Sequence, residues 1–104
     1  MAGALFENYV VSEVVKSYWH RGRQAPLWFF RTKDGLEVDL VIEEEGRLHP
    51  IEVKLTARPT PAVANGIARL SELTAVGRGA VVCMTDRAYP LTPQVDALPV
   101  GAIE

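Results

Sequence analysis

Cysteine is almost absent from this chain. There is one, Cys83, so no internal disulfide forms and no cysteine zinc cluster is available. Its neighbours Val81, Val82 and Met84 mark it as a buried structural thiol, which fits an intracellular, cytoplasmic setting. Histidine is scarce as well. His20 and His49 are far apart, and neither has a partner at metal-ligand spacing. Neither charge is in large excess: 11 Lys and Arg stand against 13 Asp and Glu, a net charge of −2. That balance argues against a surface built to coat nucleic acid, while leaving room for a local basic patch. No apolar run approaches the roughly 18 residues of a membrane span. The N-terminus lacks a basic start, and Glu7 and Asn8 interrupt its apolar run, so it does not read as a signal peptide. It opens abruptly in a helical pattern, as a piece of a longer protein would. Repeats and low-complexity segments are missing too. Nothing in the sequence sets the oligomeric state.

What remains is the composition of one small globular domain over residues 1–104, with 48% hydrophobic and 23% charged residues. Leu5, Phe6, Tyr9, Val10, Val14, Tyr18 and Trp19 recur at three- and four-residue spacing. They predict a helix over Ala4 to His20, with a wide apolar arc and deep burial. Glu7 shares a face with Val10, Val11 and Val14. It is either an edge residue reaching for water or for a nearby arginine, or a carboxylate aimed at a site. A loop follows, marked by Gly22 and Pro26, with Arg21 and Arg23 as solvated charges. Leu27 to Thr32 is short and aromatic, a strand. Asp34-Gly35 is a hairpin signal, and Leu36 to Ile42 is the returning strand. A two-residue turn there sets Phe30 opposite Asp39 and Trp28 opposite Val41, with both faces covered.

A second turn centred on Glu45-Gly46 returns Leu48 to Leu55 as a third strand. In that register Asp39 falls opposite Glu52, and Glu37 opposite Lys54. Thr60-Pro61 starts a second helix. Its stripe is Val63, Ile67, Leu70, Leu73 and Val76, and Gly77 and Gly79 end it. Gly79 to Met84 is a buried strand, parallel to its neighbour because a helix intervenes. Ala97 to Ile103 is a candidate last strand.

Two carboxylates facing each other across neighbouring strands repel. A raised pKa, a nearby cation or a divalent metal offsets that repulsion. Hard oxygen ligands converging from two strands suit Mg²⁺ or Mn²⁺. Lys54 lies on the same strand face as Glu52, placed to orient water or to stabilise charge on a phosphate. Glu7 would complete the shell. Together these residues are apparatus for metal-assisted phosphodiester hydrolysis. The plainer alternative makes Glu52 and Lys54 a solvated strand face, with Glu37 and Lys54 as a cross-strand ion pair.

The order helix, three-strand meander, helix, strand resembles the restriction-endonuclease-like, or PD-(D/E)XK, nuclease fold. That resemblance implies a three-layer α/β/α domain with an αβββαβ core and a mixed sheet of four to five strands. It places the catalytic and metal site on Asp39, Glu52 and Lys54, with Glu7 joining from the first helix. Val38 stands where the superfamily name has proline. Three blocks are more specific: Gly3 to Val10, Phe30 to Asp39 and Pro50 to Lys54. They are similar to the C-terminal domain of unknown function of prokaryotic AAA-type P-loop ATPases. This implies an ATPase domain N-terminal to residue 1, and no Walker lysine loop occurs in the chain itself. The expected function is Mg²⁺-dependent cleavage of DNA in the cytoplasm, with no membrane partner. The alternative is a non-catalytic module that joins the ATPase to DNA or protein. An RNA-directed or toxin-like nuclease would use the same site.

Overall fold

The computed structural model describes residues 2–31, 33, 35 and 37–102. The elements run α1 (Ala2–His20), β1 (Leu27–Arg31), β2 (Glu37–Glu44), β3 (Arg47–Val53), a 3-10 turn (Pro61–Ala64), α2 (Asn65–Leu73), β4 (Gly79–Cys83), β5 (Tyr89–Thr92) and β6 (Val95–Pro99). A last 3-10 turn covers Val100–Ala102. The strands form one mixed sheet in the order β1-β2-β3-β4-β6-β5. β3 and β4 are parallel, as the intervening helix requires.

Six strands stand where four to five were expected. The difference is a C-terminal hairpin: β5 pairs antiparallel with β6, and β6 lies parallel to β4. Prolines hide it in the sequence. Pro90 sits on the edge strand and Pro99 at a strand end, the places where a sheet tolerates a missing N–H. The candidate strand Ala97 to Ile103 is therefore β6, which starts two residues earlier and ends at Pro99, and Ile103 lies outside the described residues.

The second turn is as expected. Glu45 (φ 53°) and Gly46 (φ 78°) are both left-handed, the geometry of a two-residue hairpin turn. Leu40 pairs with Ile51 and Glu44 with Arg47. The first hairpin differs, and the expected central turn residue Asp34 lies outside the described residues. Trp28 does pair with Val41, but Phe30 pairs with Val38, not with Asp39. Between those pairs β1 advances two residues and β2 advances three, so β2 carries an extra residue.

That bulge explains the packing. Leu40 packs with Val14 and Tyr18 of α1, with Ile42 and Ile51 beside them. Val41 packs with Leu70 of α2. Consecutive strand residues point to opposite faces. Val38 joins Val41 and Leu70 although it stands three positions from Val41, an odd offset. The inserted residue turns it there. A third cluster, Ile67, Val81, Cys83, Val95 and Ala97, joins α2 to the far side of the sheet. Cys83 is buried, as its neighbours imply.

Two expectations of burial fail. Only Val10, Val14 and Tyr18 of α1 are buried, while Leu5, Tyr9 and Trp19 are exposed. Trp28 and Phe29 are exposed too, because β1 is an edge strand. Likewise α2 stops at Leu73, which is exposed, and Val76 reaches the core from beyond the helix.

Candidate metal centre

The β2–β3 ladder stops at Leu40 and Ile51, one pair short of Asp39 and Glu52. Asp39 replaces the next rung with its side chain: Val53 N–H donates to its Oδ2 at 2.8 Å. The bulge thus frees a carboxylate from the sheet face and fixes it against the end of β3. A rigid strand end, not a loop, holds the acid.

Glu52 is its neighbour. Its Oε1 is buried without a hydrogen-bond partner. The start of α2 closes over it. A Cβ built on Gly66 would lie 3.4 Å from that oxygen and 2.8 Å from the Glu37 carbonyl oxygen. Burial is the main cause that pushes the Glu52 carboxyl up, to about 8. The Asp39 charge and a hydrogen bond to its carboxylate add to this, and the Glu7 charge adds further. A hydrogen bond from the Asp39 backbone pulls the other way. Burial beside a second carboxylate thus favours the protonated form of Glu52.

Glu7 arrives from the first turns of α1. Burial raises its carboxyl above the ordinary range, with the charges of Asp39 and Glu37 adding to the effect. Lys54 follows the end of β3, its N–H bonded to the Val82 carbonyl at 3.0 Å. Glu7, Asp39, Glu52 and Lys54 all line one open cleft of about 480 Å³, together with Gly3, Val53 and Leu55. Glu37 does not meet Lys54. It pairs instead with Arg31 across β1, at 2.5 Å.

The donor set has a definite limit. Among the described residues, no group of three or more His, Cys, Asp or Glu side chains could hold a metal ion as it stands. Asp39 and Glu52 remain as a pair, with Glu7 lining the same cleft. A carboxylate pair suits Mg²⁺, which keeps several waters and takes further oxygens from a phosphate. The unpartnered buried oxygen of Glu52 is the kind of group such an ion satisfies. Sequence reasoning missed Gly66. The available signal was a glycine inside a predicted helix, which marks close approach.

The sequence profile of a domain of unknown function, DUF4143, matches residues 2–103. The chain belongs to the DUF4143 family. Two curated mycobacterial proteins resemble this DUF4143 domain: the uncharacterized proteins Rv2008c of Mycobacterium tuberculosis and Mb2031c of Mycobacterium bovis. Each is 28% identical over 101 residues, covering 97% of this chain and 22% of the relative. The chain thus spans about a fifth of the length of the curated relatives it matches. No solved structure gives a significant match to it. Among the described residues no helix is long and apolar enough to cross a membrane.

Proposed function

We propose that this domain is a Mg²⁺- or Mn²⁺-dependent nuclease acting on DNA phosphodiesters, accessory to an AAA-type ATPase region of a longer protein. One observation carries the reading: a buried, unpartnered Glu52 oxygen beside an Asp39 carboxylate that the strand end holds rigidly. The element order and the parallel β3–β4 pair support a three-layer, restriction-endonuclease-like arrangement, as do α1 on Leu40 and α2 on Val41. The length of the relatives supports a larger parent protein. The lone buried thiol fits a cytoplasmic setting.

Asp39 and Glu52 would hold the ion. A bound ion would supply Lewis-acid chemistry there, polarising a phosphate and making a water more acidic. Lys54, at the open side of the cleft, orients a water and offsets negative charge growing on phosphate. Glu7 accepts a hydrogen bond from a cleft water and helps to aim it. The anchored backbone of Asp39 and Lys54 keeps these groups in place without reorganisation, which is where such a site gains rate.

The test combines calorimetry with Mn²⁺ and plasmid cleavage, on wild type and Asp39→Ala. Binding and cleavage in the wild type, both lost in the variant, are expected. No binding at millimolar Mn²⁺ would overturn the reading. The two-acid limit of the donor set favours a second reading, a non-catalytic DNA- or protein-binding module with a vestigial site. That reading expects weak metal binding, and no cleavage by either protein.

A further inference from the structure

Two arginines and an aromatic ring gather at the same end of the sheet as the acids. The segments leaving β3 and β4 are tied together there: Lys54 N–H donates to Val82 O at 3.0 Å, and Met84 N–H to Thr56 O at 2.8 Å. Beside them opens a second cleft of about 420 Å³, lined among others by Arg58, Met84, Asp86, Arg87 and Tyr89. Leu55 lines the acidic cleft and Ala57 lines this one, so one short segment borders both.

The cations here are unengaged. Arg21 and Arg23 stack on Tyr18, Arg31 pairs with Glu37, and Arg78 is held by Asp96. Arg58 and Arg87 are exposed, and among the described residues neither guanidinium has an ion-pair partner, Asp86 included. Two free guanidiniums lining one cleft make it locally basic in a protein of net charge −2. Tyr89 (37% exposed) and Met84 (53% exposed) line the same cleft and offer apolar surface beside the cations.

We propose that this second cleft binds single-stranded nucleic acid, with Arg58 and Arg87 on the phosphates and a base stacked on Tyr89. The strand then runs along the ends of β4 and β3 into the acidic cleft. This rests on the nuclease reading and adds the form of its substrate. Cation plus aromatic is the chemistry of single-strand recognition, because an unpaired base has a free face for the ring. A duplex stacks its bases on each other and carries about one charge per 1.7 Å of axis. A patch two guanidiniums wide on an acidic protein does not match that.

The test is fluorescence anisotropy of labelled oligothymidylate in EDTA, which stops cleavage and leaves strand binding readable. Wild type, Arg58→Ala/Arg87→Ala, Arg58→Lys/Arg87→Lys and Tyr89→Ala are compared, with thermal melts as the folding control. Salt-dependent binding in the wild type is expected. The double alanine variant should weaken it about tenfold or more and reduce the salt slope by about 1.4. The double lysine variant should recover most of the loss. Tyr89→Ala should cost about tenfold. A folded double alanine variant that binds like wild type overturns the proposal, and so does tighter binding of a duplex of equal length. If the strand binds as expected while Mn²⁺ binding and cleavage are absent, the single-strand site stands and the nuclease reading falls. If Mn²⁺ binds through Asp39 and plasmid is cut while the arginine variants change nothing, the reverse holds.

Discussion

Glu52 sits on an interior strand with one oxygen cut off from water and from any donor. The folded state therefore holds a proton that the unfolded chain releases near the ordinary value of 4.5. Folded protein binds more protons than unfolded between there and about pH 8. Stability must fall as pH rises through that window, and the full penalty applies above it. Glu52→Gln removes the titration. Because Glu52 is only half-buried, solvent screening limits the gain to about 1–2 kcal/mol. The variant should melt higher than wild type at pH 9, with the difference vanishing toward pH 4. A constant offset across that range would contradict the assignment. Gly66 is the structural counterpart of this acid. Alanine is the better helix former by about 1 kcal/mol, yet its Cβ would sit 2.8 Å from a backbone oxygen. Gly66→Ala is expected to destabilise by about 1–3 kcal/mol and to weaken Mn²⁺ binding, since α2 must move away from the Glu37 carbonyl and so from its seat over Glu52. Chemical denaturation and calorimetry read the two effects separately.

Among the elements, the two hairpins differ in how much of them could be read in advance. Glu45-Gly46 fixed its own register, because two left-handed residues in a row leave one turn geometry. Glutamate is a poor occupant of that conformation. Glu45→Asn should raise stability by about 0.5–1 kcal/mol, or a few degrees in a thermal melt, without touching the cleft. A loss of stability would mean that Glu45 makes a contact the geometry does not reveal. Asp34-Gly35 is a hairpin signal too, but a bulge in β2 shifts the register it predicts. Bulges answer to a site rather than to local propensity, so nothing in Val38-Asp39-Leu40 announced one. The same device aims Asp39 at the Val53 N–H, a contact that strand alternation alone does not supply. The residue types and the order of elements were legible in the sequence; the bulge, the β5–β6 hairpin and the burial of α1 were not. Those last three depend on which strand ends up at an edge, and that is a property of the assembled sheet.

For the whole molecule, the acids of the cleft come from elements far apart in the chain: α1, β2 and β3. The unfolded chain cannot gather them, so an ion bound by Asp39 and Glu52 stabilises only the native state. At an ion concentration near a hundred times Kd the gain is about 2.7 kcal/mol. That corresponds to a rise in Tm of about 10–20 °C for a domain of this size. Binding must displace the proton that Glu52 retains up to about pH 8. The rise in Tm with Mn²⁺ should therefore be largest at pH 8.5 and shrink as pH falls toward 6. In Asp39→Ala it should disappear at both. This measurement separates a site from a mere cluster of acids, since exposed carboxylates collecting Mn²⁺ weakly would give a small shift with no step near pH 8. An unchanged Tm at millimolar Mn²⁺ at pH 8.5 would leave Glu52 as a buried acid without an ion to serve.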